Sequence, residues 1–190
     1  LNFLTIVPMF HCNGWCYPWT VPMLNGRTIC LRNIDVKKIF ELIDKYNVTH
    51  FGGAPIVLNM ITGAPESDRK KLKNKVYVLT AGAPPPSIIF KKMKSLGFEV
   101  MHVYGLTETY GHVTQCAWND DWNAFEEEKQ NEIKARQGVR YPNTEGVTIM
   151  DPETMKEVPR DGKTIGEIMI RGNVVMKGYF KDKDATDKAM

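Results

Sequence analysis

Over the first two-thirds of the chain, short apolar runs bounded by turn residues alternate with longer stretches of helical periodicity. That is the pattern of βα units building a largely parallel sheet. Strands are predicted at 1–7, 28–31, 48–51, 76–80 and 99–103, and helices at 36–46, 55–62 and 87–96, the last led in by Pro84, Pro85 and Pro86. From about residue 120 the character changes. Residues 122–136 form a polar, acidic, helix-like segment, after which Gly138, Pro142 and Gly146 punctuate short β-rich stretches. Strands at 145–150 and 166–170 joined by a turn-rich 151–162 connection predict a smaller β subdomain. The fold class expected is α/β: a largely parallel sheet with flanking helices over 1–120, then a connecting helix and a β-rich subdomain over 121–190. Leu1 lies inside an apolar run and 182–190 reads as a helix just starting, so both ends are expected to be cuts from something longer.

Composition narrows the function classes. At 190 residues, 43% hydrophobic and 25% charged, the chain can build a core of domain size. A net charge of +3, with 25 basic residues scattered among 22 acidic ones, supplies no basic stripe for a phosphate backbone, and nucleic acid is not an expected partner. No apolar run approaches the roughly 20 residues of a transmembrane segment, and the N-terminus lacks the charged start of a signal peptide. The compartment expected by default is cytoplasmic. Cys12, Cys16, Cys30 and Cys116 are expected as free thiols, and His11, Cys12 and Cys16 lack the second ligand pair that a zinc site needs.

The richest segment runs from His102 to Gly111. An apolar strand there delivers Tyr104, then Gly105, then Leu106, Thr107 and Glu108. Gly105 admits close backbone approach, Thr107 can hydrogen-bond a phosphate oxygen, and Glu108 can bind Mg²⁺. A second segment, Thr80 to Pro86, also follows a strand, and the small Gly82 and Ala83 before Pro84 leave room for a flat ring. In a third, Pro8 to Trp15, His11 can face a phosphate or a carboxylate and Trp15 can wall an apolar pocket. A fourth, Gly166 to Tyr179, is a strand, a Gly turn and an apolar run ending in Gly178-Tyr179. Each has a plainer alternative: capping of a helix N-terminus for Thr107 and Glu108, a buried hydrogen-bonded imidazole for His11, and core packing for Trp15.

Taken in order, these segments resemble the adenylate-forming superfamily of acyl-CoA synthetases, peptide-synthetase adenylation domains and luciferases. Tyr104 to Thr109 is similar to its adenine- and magnesium-binding motif, and Thr80 to Pro84 to its purine-contacting loop. Pro8 to Trp15 is similar to its His/aromatic segment beside the acyl pocket, and Gly166 to Tyr179 to its late G-E-x-x-x-R-G motif. The resemblance implies ATP-dependent activation of a carboxylic acid to an acyl-adenylate and then a coenzyme A thioester. Glu108 would hold Mg²⁺, and Thr107 would touch the α-phosphate. Gly82, Ala83, Pro84, His102, Tyr104, Gly105 and Leu106 would frame the adenine; His11, Trp15, Gly82 and Gly111 would line the acid pocket. Partners implied are a small carboxylic acid, ATP and coenzyme A, with a homodimer of the full-length protein left open.

The family's phosphate loop, its ribose-binding T-G-D motif and its C-terminal lysine domain have no counterpart in this sequence. The chain is therefore expected to be an internal piece of the large N-terminal domain, binding ATP weakly and not turning over alone. The His-Cys-Asn-Gly-Trp form of residues 11–15 is similar to the branch acting on short- and medium-chain acids, including plant acyl-activating enzymes and methylthiopropionate ligases. An amino-acid adenylation domain and a non-catalytic nucleotide-binding module stay open as alternatives.

Overall fold

The computed structural model describes the backbone of Leu1–Met190 and the side chains of all residues except Cys12, Asn13 and Trp15. Its elements run β1 (Asn2–Thr5), α1 (Cys12–Met23), β2 (Arg27–Cys30), α2 (Val36–Tyr46), β3 (His50–Gly52), α3 (Pro55–Gly63), β4 (Val76–Thr80), α4 (Ser87–Ser95) and β5 (Phe98–Leu106). They continue with β6 (Gly111–Gln115), α5 (Glu127–Lys134), β7 (Val139–Arg140), β8 (Gly146–Met150), β9 (Glu167–Arg171) and α6 (Lys183–Ala189).

A seven-stranded sheet has the order β2-β1-β3-β4-β5-β6-β7, parallel from β2 to β5 and antiparallel from β5 to β7. β8 and β9 pair separately as an antiparallel hairpin. Strand residues alternate between faces. Leu4, Phe51, Val78 and Val100 therefore meet α2, α3 and α4 in one core with Ile39, Phe40, Leu58, Ile61, Phe90 and Met93. Phe98 anchors it, its ring edge-on to Phe40 at 5.9 Å and to Phe51 at 5.8 Å. On the opposite face Phe3 stacks on Tyr17 of α1 at 4.1 Å. Helices on both faces and β1 flanked by β2 and β3 make this a doubly wound sheet, whose ligands belong in the crevice at the carboxyl ends of the strands.

The predicted helix at 36–46 forms because its ends are capped. The Asp35 carboxylate accepts from the Lys38 amide at 3.0 Å, and Asn47 turns left-handed at φ 49°. α1, β6 and β7 were not foreseen. α1 carries Pro18 and Pro22 and is apolar on all sides, so neither breaker logic nor an amphipathic stripe marks it. Tertiary packing holds it nonetheless, and the Thr20 hydroxyl donates to the Cys16 carbonyl at 2.7 Å. The main sheet also runs past residue 120: β7 extends it to Arg140, and α5 packs on α4 and β5. Cys16, Cys30 and Cys116 are in no disulfide, while the side chain of Cys12 lies outside those described.

Candidate active site

The turn joining β5 to β6 is built by two glycines and one threonine. A β-carbon on Gly105 would sit 1.8 Å from the Gly111 carbonyl oxygen, so only glycine lets the two strands close here. Register shifts between Tyr104 and Gly105, which pair with Thr114 and His112, leaving Val113 as the extra residue of a bulge. Such bulges re-aim the side chains that follow. The Leu106 amide donates to Thr109 Oγ1 at 3.0 Å, and that hydroxyl can donate to the carbonyl of Gly111 at 2.9 Å or Leu106 at 3.1 Å. The Tyr110 amide donates to the Thr107 carbonyl at 3.1 Å, and Tyr110 and Gly111 follow at φ 54° and 119°.

A single 3₁₀ turn spans Thr107–Thr109, with Glu108 inside it, and the buried Thr109 is the residue whose hydroxyl satisfies the turn. Thr107 is exposed and Glu108 half-buried, their side chains left available to something outside. Glu108 Oε1 accepts a hydrogen bond from the Tyr179 hydroxyl at 2.8 Å, and its backbone carbonyl accepts from the Met176 amide at 2.8 Å. Donating to a carboxylate holds the Tyr179 phenol above its usual pKa. No protein partner is recorded for Glu108 Oε2 among the described residues.

β4 and β5 run parallel, with Thr80 beside His102, so the loop after β4 reaches the same edge as Tyr104 and Gly105. Gly82 lies there at φ 92°, and a β-carbon on it would meet nothing within 4 Å. Ala83 and Pro84 are exposed beside it, Tyr104 and Gly105 are half-buried, and Leu106 is exposed. The open backbone at Gly82, at the same end of the sheet as Tyr104, leaves space for a flat ring. His102 is 2% exposed, and its Nδ1 meets the Ala135 carbonyl at 2.9 Å, so its imidazole ties β5 to the end of α5.

At the third segment, the His11 amide donates to the Pro8 carbonyl at 3.0 Å and the Gly14 amide to the His11 carbonyl at 2.7 Å. A β-carbon on Gly14 would lie 2.4 Å from the Pro8 carbonyl oxygen, which makes glycine necessary for this entry into α1. His11 is exposed, and its charge reaches His112, whose imidazole is held below its usual range by burial first and by His11 second. A β-carbon on Gly111 would come within 3.6 Å of Cys16 Sγ, so α1 and the β5–β6 turn share one wall. Burial also pushes up the phenols of Tyr17 and Tyr141 nearby, each further raised by Cys16. Cys16, Tyr17, His112 and Tyr141 were not foreseen here: Cys16 and Tyr17 of α1 lie just past the Pro8–Trp15 segment and His112 of β6 just past Gly111, while Tyr141 follows β7, far from any of the four segments. Trp15 lies outside the described side chains.

Among the described residues no group of three or more His, Cys, Asp or Glu side chains could hold a metal unaided. One half-buried carboxylate with a free oxygen matches Mg²⁺, which is commonly bound through one or two carboxylates plus phosphates and water. The donor set therefore fits that ion when it arrives with a polyphosphate.

The family model described as AMP-binding enzyme matches residues 1–180. The chain is 52% identical over 185 residues to a peroxisomal acetate/butyrate–CoA ligase of Arabidopsis thaliana, covering 96% of this chain and 32% of that protein. It is 50% identical over 189 residues to an acetate–CoA ligase of Humulus lupulus, covering 98% and 33%. It thus spans about a third of the length of the curated relatives it matches. Among solved structures, the N-terminal domain of FACL13 from Mycobacterium tuberculosis superposes with a TM-score of 0.77 at 24% identity, over 100% of this chain and 45% of that one. O-succinylbenzoate coenzyme A synthetase of Bacillus subtilis, solved with ATP and magnesium, gives 0.76 at 20% identity, over 100% and 36%. These likenesses carry the fold, and with the match over residues 1–180 the chain belongs to the AMP-binding enzyme family.

Proposed function

We propose that the full-length protein joins a carboxylic acid to AMP and passes the acyl group to coenzyme A, and that this chain supplies the adenine and magnesium side of the site. The observation that carries the reading is the β5–β6 turn. Thr109 satisfies its backbone and leaves Thr107 and Glu108 facing outward, at the sheet edge that also holds the open Gly82 loop.

In the first step a carboxylate oxygen bonds to the α-phosphorus of ATP as the bond to the bridging oxygen of pyrophosphate breaks. In the second, the thiol sulfur of coenzyme A attacks the acyl carbon, its proton is lost, and AMP leaves. Both steps ask for alignment and charge dispersal rather than covalent help from the protein. Thr107 Oγ1 donates to an α-phosphate oxygen, and Gly82, Ala83 and Pro84 lie along the purine. The Tyr104 ring rests against it, worth about 1–3 kcal/mol by analogy with base stacking. Glu108 would hold Mg²⁺, which would supply positive charge against the phosphates. His11, beside His112, faces the acid carboxylate.

A short-chain acid is part of the proposal, supported by the names of the acetate, butyrate and 2-methylpropanoate ligases among the relatives. Acid-dependent ATP–pyrophosphate exchange by the full-length protein, run with acetate, butyrate, benzoate, palmitate and amino acids, tests both points. Exchange with butyrate exceeding that with palmitate is expected. Exchange with amino acids alone, or with nothing, would sink the reading. The 190-residue chain by itself is expected to bind ATP weakly and to show no exchange. A cytosolic location belongs to the same proposal, and a peroxisomal pattern of the tagged protein, as the names of three relatives carry, would overturn it.

A further inference from the structure

We propose that Tyr179 is a positioning residue for Glu108, holding one carboxylate oxygen so that the other is presented to the metal. The inference rests on the functional reading above and goes beyond it. Glu108 and Tyr179 are 71 positions apart, yet the phenol donates to Oε1 at 2.8 Å. The same loop makes a second tie, from the Met176 amide to the Glu108 carbonyl at 2.8 Å. One contact fixes the backbone of Glu108 and the other its carboxylate, which together leave little rotational freedom about the side chain. A carboxylate with one oxygen occupied offers a cation a single defined ligand atom.

Tyr179 is itself held from behind. Its amide donates to Thr186 Oγ1 at 2.9 Å, and that hydroxyl donates to the Asp182 carbonyl at 2.7 Å at the start of α6. A β-carbon on Gly178 would come within 2.6 Å of Thr186 Cγ2, and Gly178 sits at φ 146°, so the glycine lets the chain lie against Thr186 and aim Tyr179 back at the turn. The Gly178-Tyr179 pair thereby gains a physical reason. The path runs from α6 through Thr186 to Tyr179 and on to Glu108. Groups that hold a metal-binding carboxylate in place usually matter to metal affinity by about 10–100-fold when removed.

The test uses the full-length protein, with Mn²⁺ as a spin-active probe and α,β-methylene-ATP as a nucleotide that cannot be cleaved. Mn²⁺ binding is titrated by electron paramagnetic resonance at fixed analogue; analogue binding in EDTA and the melting temperature are measured alongside. Tyr179→Phe is expected to weaken Mn²⁺ about tenfold, the low end for such groups since Tyr179 is partly exposed, while both accompanying measurements stay at wild-type values. Thr186→Val, which loosens the support behind Tyr179, is expected to shift Mn²⁺ affinity the same way by a smaller factor. Mn²⁺ affinity in Tyr179→Phe within twofold of wild type, or tighter, overturns the inference. Failure of the wild-type protein to bind Mn²⁺ with the analogue overturns the functional reading on which it rests, a different and separately visible result.

Discussion

Replacing Gly105 by alanine tests whether strand closure, and not sequence fashion, requires glycine at the site. The new β-carbon would lie 1.8 Å from the Gly111 carbonyl oxygen, 2.6 Å from its carbonyl carbon and 2.8 Å from His112 Cα, all of them backbone atoms. Contacts under 3.0 Å are essentially never seen for a real β-carbon, so the strands must part by about 1.2 Å or more. Parting them strains the pairs Gly105–His112 and Leu106–Gly111, which frame the Thr107–Glu108 turn. Overpacking of about 1–3 kcal/mol plus a weakened ladder bond of about 1 kcal/mol gives a cost of about 3 kcal/mol. At about 2–4 °C per kcal/mol for a domain of 150–250 residues, the domain's melting transition should fall by about 6–12 °C. Gly63→Ala is the internal control, because a β-carbon at that last residue of α3 meets nothing within 4 Å. It should leave melting unchanged or raise stability by about 0.4–1 kcal/mol. Scanning fluorimetry of the two variants in the full-length protein reads the difference. Equal melting of Gly105→Ala and wild type, or an equal loss in both variants, would refute the steric reasoning.

Glu108→Gln keeps an acceptor for Tyr179 but removes the charge; metal-dependent pyrophosphate exchange should fall by about 100-fold or more with little change in melting, and near-normal exchange would remove Glu108 from the metal's ligands. Thr109→Val keeps the shape and removes the hydroxyl that serves the Leu106 amide and the turn carbonyls, so a loss of about 1–3 kcal/mol is expected in urea unfolding of the domain, together with lower nucleotide affinity. His112 gives a pH dependence with a definite sign. Its imidazole is held below the usual range by burial and then by His11, so the unfolded chain takes up a proton first as pH falls below about 6.5. The stability it contributes is fully present above that pH and is lost toward the folded-state pKa; His112→Gln should shrink the drop in melting temperature between neutral and mildly acidic buffer.

Much of the architecture was legible in local pattern. The run Val76–Thr80 could only be a strand, and the apolar spacing and Asp35 cap of Val36–Tyr46 could only be a helix, because burial on one side leaves a period in the sequence. Around Thr107 and Glu108 the glycine after the apolar strand and the hydroxyl and carboxylate that follow were legible because they stand together in the chain, whereas the role of Thr109 in satisfying the turn was not. Where both faces of an element are covered, or its length is short, that period is absent. The brief β6 and the two-residue β7 stayed hidden for this reason, and α1 because Pro18 and Pro22 interrupt it and apolar Trp19 and Met23 stay exposed, which leaves no one-sided stripe.

The sequence by itself determined the alternation of strands and helices, the glycines at close approaches and the polar residues left over at strand ends. Only the tertiary structure decided what those residues meet. It turned His102 inward to Ala135, brought Cys16 against Gly111, and set the Tyr179 hydroxyl on a carboxylate 71 residues away. Local pattern reports which side of an element is buried, whereas the partner across the interface is chosen by sheet order, register and the path of the connecting loops, none of which leaves a periodic trace in the chain.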